Sequence, residues 1–149
     1  MVFGLGPSSA IADYFAIQLG RFGVESASLT QTGLLLADGL HRLRRGDLIV
    51  MLAYSRVYRE LATLLTQADR LGLAKILLTD TLSGVLGKKV DLILPVARGN
   101  ADWFSTHMMP AELQSIHRFV LDTAVIESIS DEMRAVVETV WPELCINYR

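Results

Sequence analysis

One cysteine, Cys145, stands in a chain of 149 residues, so no internal disulfide can form, and no set of metal-ligand spacings surrounds it. That scarcity points to a reducing compartment. A chain of this length makes one domain, and such a domain buries roughly 70% of the surface its unfolded form exposes, which is enough to hold without staples. A surplus of basic residues is missing too: fourteen Lys and Arg against sixteen Asp and Glu leave a formal charge of −2 and a pI near 5.9. This is a poor electrostatic match to a polyanion, so no direct nucleic-acid contact is expected. Although 51% of the residues are hydrophobic and the mean hydropathy is +0.36, no run approaches the roughly 20 apolar residues of a membrane span. The apolar surplus is assigned to a two-sided core or a subunit interface. Gly4, Gly6 and Pro7 interrupt the N-terminus before a signal-peptide core can form, and a cytoplasmic location is expected. Neither an internal repeat nor a flexible linker divides residues 1–149, which are read as a single domain.

What is present is an alternation of short apolar runs with helical periods. Met1 to Leu5 reads as a strand and Gly4-Leu5-Gly6-Pro7-Ser8-Ser9 as a tight loop. The spacing of Ile11, Tyr14, Phe15, Leu19 and Phe22 predicts a helix capped by Ser8 or Ser9 and ended by Gly23. Val24 to Leu29 is expected as a second strand. Thr30 or Thr32 is expected to cap a helix running through Leu34, Leu35, Leu40 and Leu43, after which Gly46-Asp47 turns the chain. Leu48 to Ala53 is continuously apolar, which fits a central strand covered on both faces. A helix from Val57 to Leu71 ends at Gly72, and Lys75 to Thr79 and Asp91 to Val96 supply the last two strands. This rhythm is that of an α/β protein with a parallel sheet. Beyond Arg98-Gly99-Asn100, two helices are expected, from Trp103 to about Ile126 and from Ser130 to about Val140.

In an open parallel sheet, the ligand crevice lies outside the carboxyl ends of the strands, near the point where strand order reverses. Three loops belong there. The first holds Gly6, Ser8 and Ser9, where glycines permit close backbone approach and a helix N-terminus offers amides to an anion. No glycine stands three residues after Gly6 and no carboxylate ends the second strand, so the dinucleotide fingerprint is not met. The second loop holds Tyr54, Ser55, Arg56, Tyr58 and Arg59, with Ser55 as helix cap and phosphoryl donor and Arg56 or Arg59 as its cationic partner. The third holds Thr79 and Ser83, the latter read as the cap of a short helical turn toward Leu86.

Taken together, the loops resemble the sugar-isomerase (SIS) domain family. Gly4, Gly6, Ser8 and Ala12 meet the family's first loop, Gly46-Asp47 its turn before the third strand, Ser55 and Glu60 its central loop, and Thr79 with Ser83 and Leu86 its fourth-strand loop. Tyr54, Arg56, Tyr58, Arg59 and Glu60 bring the central loop nearest to the effector domain of RpiR-type transcriptional regulators. The departures are Ala53 for a serine, Arg56 for a glycine and Tyr58 for a threonine. The resemblance implies a three-layer αβα sandwich on a five-stranded parallel sheet of flavodoxin-like order 2-1-3-4-5, with extra C-terminal helices. It also implies a small phosphorylated sugar as ligand and a homodimer with sites near the subunit boundary. RpiR-type regulators carry a helix-turn-helix domain ahead of the SIS domain. This chain begins at the first strand, as an excised fragment or a stand-alone relative, with DNA contacted only through such a separate domain.

Three functions stay open at this point. Aldose-ketose isomerisation needs a base beside a carbonyl, and Glu60 and His107 are the only candidates. No acid-base pair stands out, which favours a sensor that binds the phosphosugar without turnover. The lost loop hydroxyls leave a third reading, a domain kept only for dimerisation. No cofactor and no metal is expected.

Overall fold

The computed structural model describes residues 1–96. The expected C-terminal helices, His107 and Cys145 lie outside the described residues. Within them the order of elements is β1 (Val2–Gly4), α1 (Pro7–Arg21), β2 (Ser28–Leu29), α2 (Gly33–Leu40), β3 (Leu48–Leu52), α3 (Arg59–Leu71), β4 (Ala74–Thr79), α4 (Ser83–Leu86) and β5 (Leu92–Pro95). The strands form one parallel sheet in the order β2-β1-β3-β4-β5, with β3 at its centre. Both the topology and the central place of Leu48 to Ala53 agree with the sequence reading.

Strand alternation sends neighbouring side chains to opposite faces. Phe3, Ile49, Met51 and Leu77 join Leu36 and Leu40 of α2 and Leu61, Leu64, Leu65 and Ala68 of α3 in one buried cluster. Val2, Val50, Leu52 and Leu78 join Ile11, Ala12 and Phe15 of α1 in the other. The sheet is therefore the middle of three layers, α1 on one face and α2 with α3 on the other. Complete burial of a Leu or Phe side chain contributes roughly 1.5–3 kcal/mol, so these two clusters are what fixes the helices over the sheet.

Helix α3 has the cleanest pattern: its buried positions, Leu61, Leu64, Leu65 and Ala68, recur at i, i+3, i+4 and i+7, and the helix stops at Gly72 in the left-handed conformation. Two expected elements are shorter than their apolar pattern. β2 pairs only Ser28 and Leu29, because its neighbour β1 has three residues and offers Val2 and Phe3 as register partners. Upstream of it, Ser26 Oγ donates to Ala16 O of α1 at 2.6 Å, committing that stretch to the helix. α2 ends at Leu40, yet Leu43 is still buried in the core. Leu43 reaches the core from a turn that Asp47 closes, its Oδ2 accepting from Arg44 N at 2.7 Å.

Candidate functional site

The reversal of strand order falls between β1 and β3, whose following helices lie on opposite faces of the sheet. Loops leaving those two strands part to either side, and the crevice between them is where an α/β sheet binds its ligand. The loop after β4, next in the sheet, joins them at the same rim.

The β1–α1 loop is built on close approach. Gly6 has φ +59°, which favours glycine, and is itself the N-cap of α1, followed by Pro7 in the first turn. Neither Ser8 nor Ser9 caps the helix, contrary to the sequence reading. Ser9 Oγ instead donates back to Gly6 O at 2.7 Å, and the Ser9 amide donates to the same carbonyl at 3.0 Å. The Ser8 amide goes to Leu5 O at 3.3 Å, and the Ser8 side chain is buried. With Pro7 lacking an N–H and these two amides engaged, the loop offers an anion the positive end of a 15-residue helix more than a row of open donors.

The β3–α3 loop carries the more accessible chemistry. Tyr58, not Ser55, is the N-cap of α3, and no side chain caps that helix, so its first-turn amides face outward unsatisfied by any capping group. Ser55 is exposed and has φ +67°, the only non-glycine residue with positive φ among the described residues. A serine in this region costs on the order of 1–2 kcal/mol, strain of the kind that gathers at functional loops. The turn is tightened by Arg56 N donating to Tyr54 O at 2.7 Å. Arg56 then lies over the ring of Tyr58, 5.4 Å from its centroid, with both residues exposed. Arg59 opens α3 at the surface and Glu60 sits half-buried in its first turn. Tyr54 is buried with the α1-side cluster beneath the loop.

The β4–α4 turn is held from inside. Thr79 is fully buried and its Oγ1 accepts from Leu82 N at 3.1 Å. Leu82, rather than Ser83, is therefore the residue that caps α4, and Ser83 opens the helix at the surface. Thr79→Val keeps the shape but leaves the Leu82 N–H without that acceptor, so a loss of about 1–3 kcal/mol is expected by urea denaturation.

The sequence reading gave no role to Thr81, yet it is the residue that joins two of the loops. Its Oγ1 accepts from Ser55 N at 3.1 Å and donates to Asp80 Oδ1 at 3.0 Å. A hydroxyl in a turn after a strand was the only signal in the sequence. By contrast, a cavity of about 410 Å³ lined by Ala37, Leu40, His41, Thr63, Thr66, Gln67 and Arg70 lies between α2 and the later turns of α3, away from this rim. It contains none of the expected site residues. Among the described residues, no group of His, Cys, Asp or Glu is placed to hold a metal ion, and no helix is long and apolar enough to cross a membrane.

A family model for the SIS domain matches residues 1–121. The chain belongs to the SIS family. Solved structures carry the same fold. An RpiR transcription factor from Sphaerobacter thermophilus (sugar isomerase domain) superposes with TM-score 0.70 at 24% identity, over 93% of this chain and 75% of that one. The Vibrio vulnificus NanR protein complexed with ManNAc-6P gives TM-score 0.70 at 21% identity, over 99% of this chain and 55% of NanR. An E. coli CFT073 protein in complex with arabinose-5-phosphate gives 0.64 at 19%, over 89% and 69%. No curated protein sequence matches this SIS chain.

Proposed function

We propose that this SIS domain binds a phosphorylated sugar at the β1/β3 switch point and serves as the effector sensor of an RpiR-type regulator. The observation that carries the reading is the β3–α3 loop: a strained Ser55, a stacked Arg56 and the uncapped start of α3 at one exposed rim. A phosphoryl group is the ligand feature that matches an exposed guanidinium beside helix N-termini. Support for a phosphosugar comes from the fold shared with proteins solved in complex with ManNAc-6P and arabinose phosphate, and support for a regulator from the fold shared with an RpiR transcription factor. Dimerisation is the expected means of signalling, and DNA contact is assigned to a domain other than this one.

An isomerase is the second reading, favoured by one observation: Glu60 lies in the first turn of α3, beside the same loop. Incubation with sugar phosphates, followed by NMR, separates the two. Interconversion of aldose and ketose would establish the enzyme; binding without turnover would establish the sensor. For binding itself, thermal unfolding with ManNAc-6P and arabinose phosphate at about a hundred times Kd should show stabilisation of roughly 2.7 kcal/mol. Ser55→Ala should weaken that binding by roughly tenfold, as expected when a hydroxyl donor to a charged group is removed. A flat response of the unmodified protein to every sugar phosphate would leave only the dimerisation role.

A further inference from the structure

Thr81 has no place in the phosphate-facing set drawn above, and its geometry gives it another task. Ser55 holds a left-handed backbone at the surface of a loop, where nothing in its own sequence neighbourhood requires that conformation. A single cross-loop bond spans the 26 residues between the two loops: the Ser55 amide donates to Thr81 Oγ1 at 3.1 Å. The hydroxyl can receive it because its own proton is directed at Asp80 Oδ1, 3.0 Å away. An acceptor with a charged partner of its own is fixed in direction, and the amide it holds is fixed with it.

The base on which Thr81 stands is equally constrained. Thr79 is buried at the end of β4 and ties down the Leu82 amide two residues beyond Asp80, while β3 and β4 are paired in register from Leu48 with Ala74 to Leu52 with Leu78. The Ala53 amide then donates to Leu78 O at 3.2 Å, carrying the pairing to the start of the loop. The β4–α4 turn is thus a rigid bracket, and Thr81 is its point of contact with the β3–α3 loop.

We infer that Thr81, oriented by Asp80, is a positioning residue for ligand recognition: it holds Ser55 in its left-handed conformation and so sets where Ser55 Oγ and the Arg56 guanidinium meet the phosphoryl group. The inference rests on the proposed phosphosugar site and adds to it a residue that works without touching the ligand. Loss of the bracket frees Ser55 to relax to ordinary φ, which swings Arg56 with it and leaves the anion with a mobile partner.

The test is calorimetric titration of the full chain with ManNAc-6P, arabinose phosphate and inorganic phosphate, paired with amide hydrogen exchange followed by NMR. Thr81→Val, which keeps the β-branched shape, should lose exchange protection at the Ser55 amide and bind the best of the three probes at least about tenfold more weakly. Thr81→Ser, which restores the hydroxyl, should return both readouts to within about twofold of the unmodified protein. Thr81 is exposed, so the circular dichroism of both variants should be unchanged. Unchanged affinity in Thr81→Val would overturn the positioning role and leave the phosphosugar site standing. Absence of heat from the unmodified protein with all three probes would instead defeat the site, and the inference with it.

Discussion

Gly4→Ala is expected to destabilise the protein by about 3 kcal/mol, lowering the thermal midpoint by roughly 10 °C for a chain of this size. A Cβ built on Gly4 would stand 2.4 Å from Ser8 O, 2.9 Å from Ser8 C and 3.1 Å from Ala12 Cβ. The first two are main-chain atoms of α1, so no rotamer change can relieve the clash. The helix itself has to move. Its other side is seated on β1 and β3 through Ile11, Ala12 and Phe15, all buried against Val2, Val50 and Leu52. Displacing α1 therefore opens the core on one face of the sheet, and it also drags Gly6, Ser8 and Ser9 away from the rim. Urea denaturation should show the loss directly, and the surviving folded fraction should bind sugar phosphates more weakly. Gly39→Ala is the control: its Cβ would meet only Leu29 Cδ2, at 2.5 Å, the far end of a side chain that can turn aside. A smaller cost is expected there.

Arg56→Ala is the second large expected effect, and it falls on binding rather than on the fold. The side chain is exposed and its one described packing partner is the Tyr58 ring. An exposed cation–π contact contributes only about 0.5–1 kcal/mol, so stability should change by less than about 1 kcal/mol. The affinity for a phosphosugar should fall roughly 10- to 100-fold, the range of a charge-assisted hydrogen bond to phosphate. The reason lies in the composition of this loop. Ala53, Arg56 and Tyr58 stand where the SIS pattern has serine, glycine and threonine, so recognition shifts from hydroxyl and backbone donors to a guanidinium fork propped on a ring. Arg56→Lys keeps the charge without the fork and should recover only part of the affinity. Tyr58→Ala should fall between the two, since it removes the prop and leaves the charge. Because the loop is open to solvent, binding should also weaken as salt is raised, and that dependence should shrink in Arg56→Ala. An affinity for ManNAc-6P and arabinose phosphate that ignores both Arg56→Ala and salt would take this residue out of the site.

Much of this was written in the order of the residues. Continuous apolarity from Leu48 to Leu52 reads as a central strand because a β-strand between two helix layers has no polar face to show. The period of Leu61, Leu64, Leu65 and Ala68 reads as a helix because 3.6 residues make a turn. Both are local properties, and so is the grouping of Gly6, Ser55 and Thr79 after successive strands of a parallel sheet. The caps were not legible. Ser8, Ser9, Ser55 and Ser83 each have cap chemistry, but the caps are Gly6, Tyr58 and Leu82, since the packing of each helix on the sheet sets where its first turn begins. Nor does any local rule place a serine at φ +67° or give its amide to Thr81. That bond joins residues far apart in the chain, and it exists only because β3 and β4 pair in one register and deliver their loops side by side. Residue order determined the sheet, its helices and the rim where a ligand belongs. Three-dimensional packing alone decided which backbone groups face that rim, because hydrogen-bond direction depends on neighbours that the linear order does not bring together.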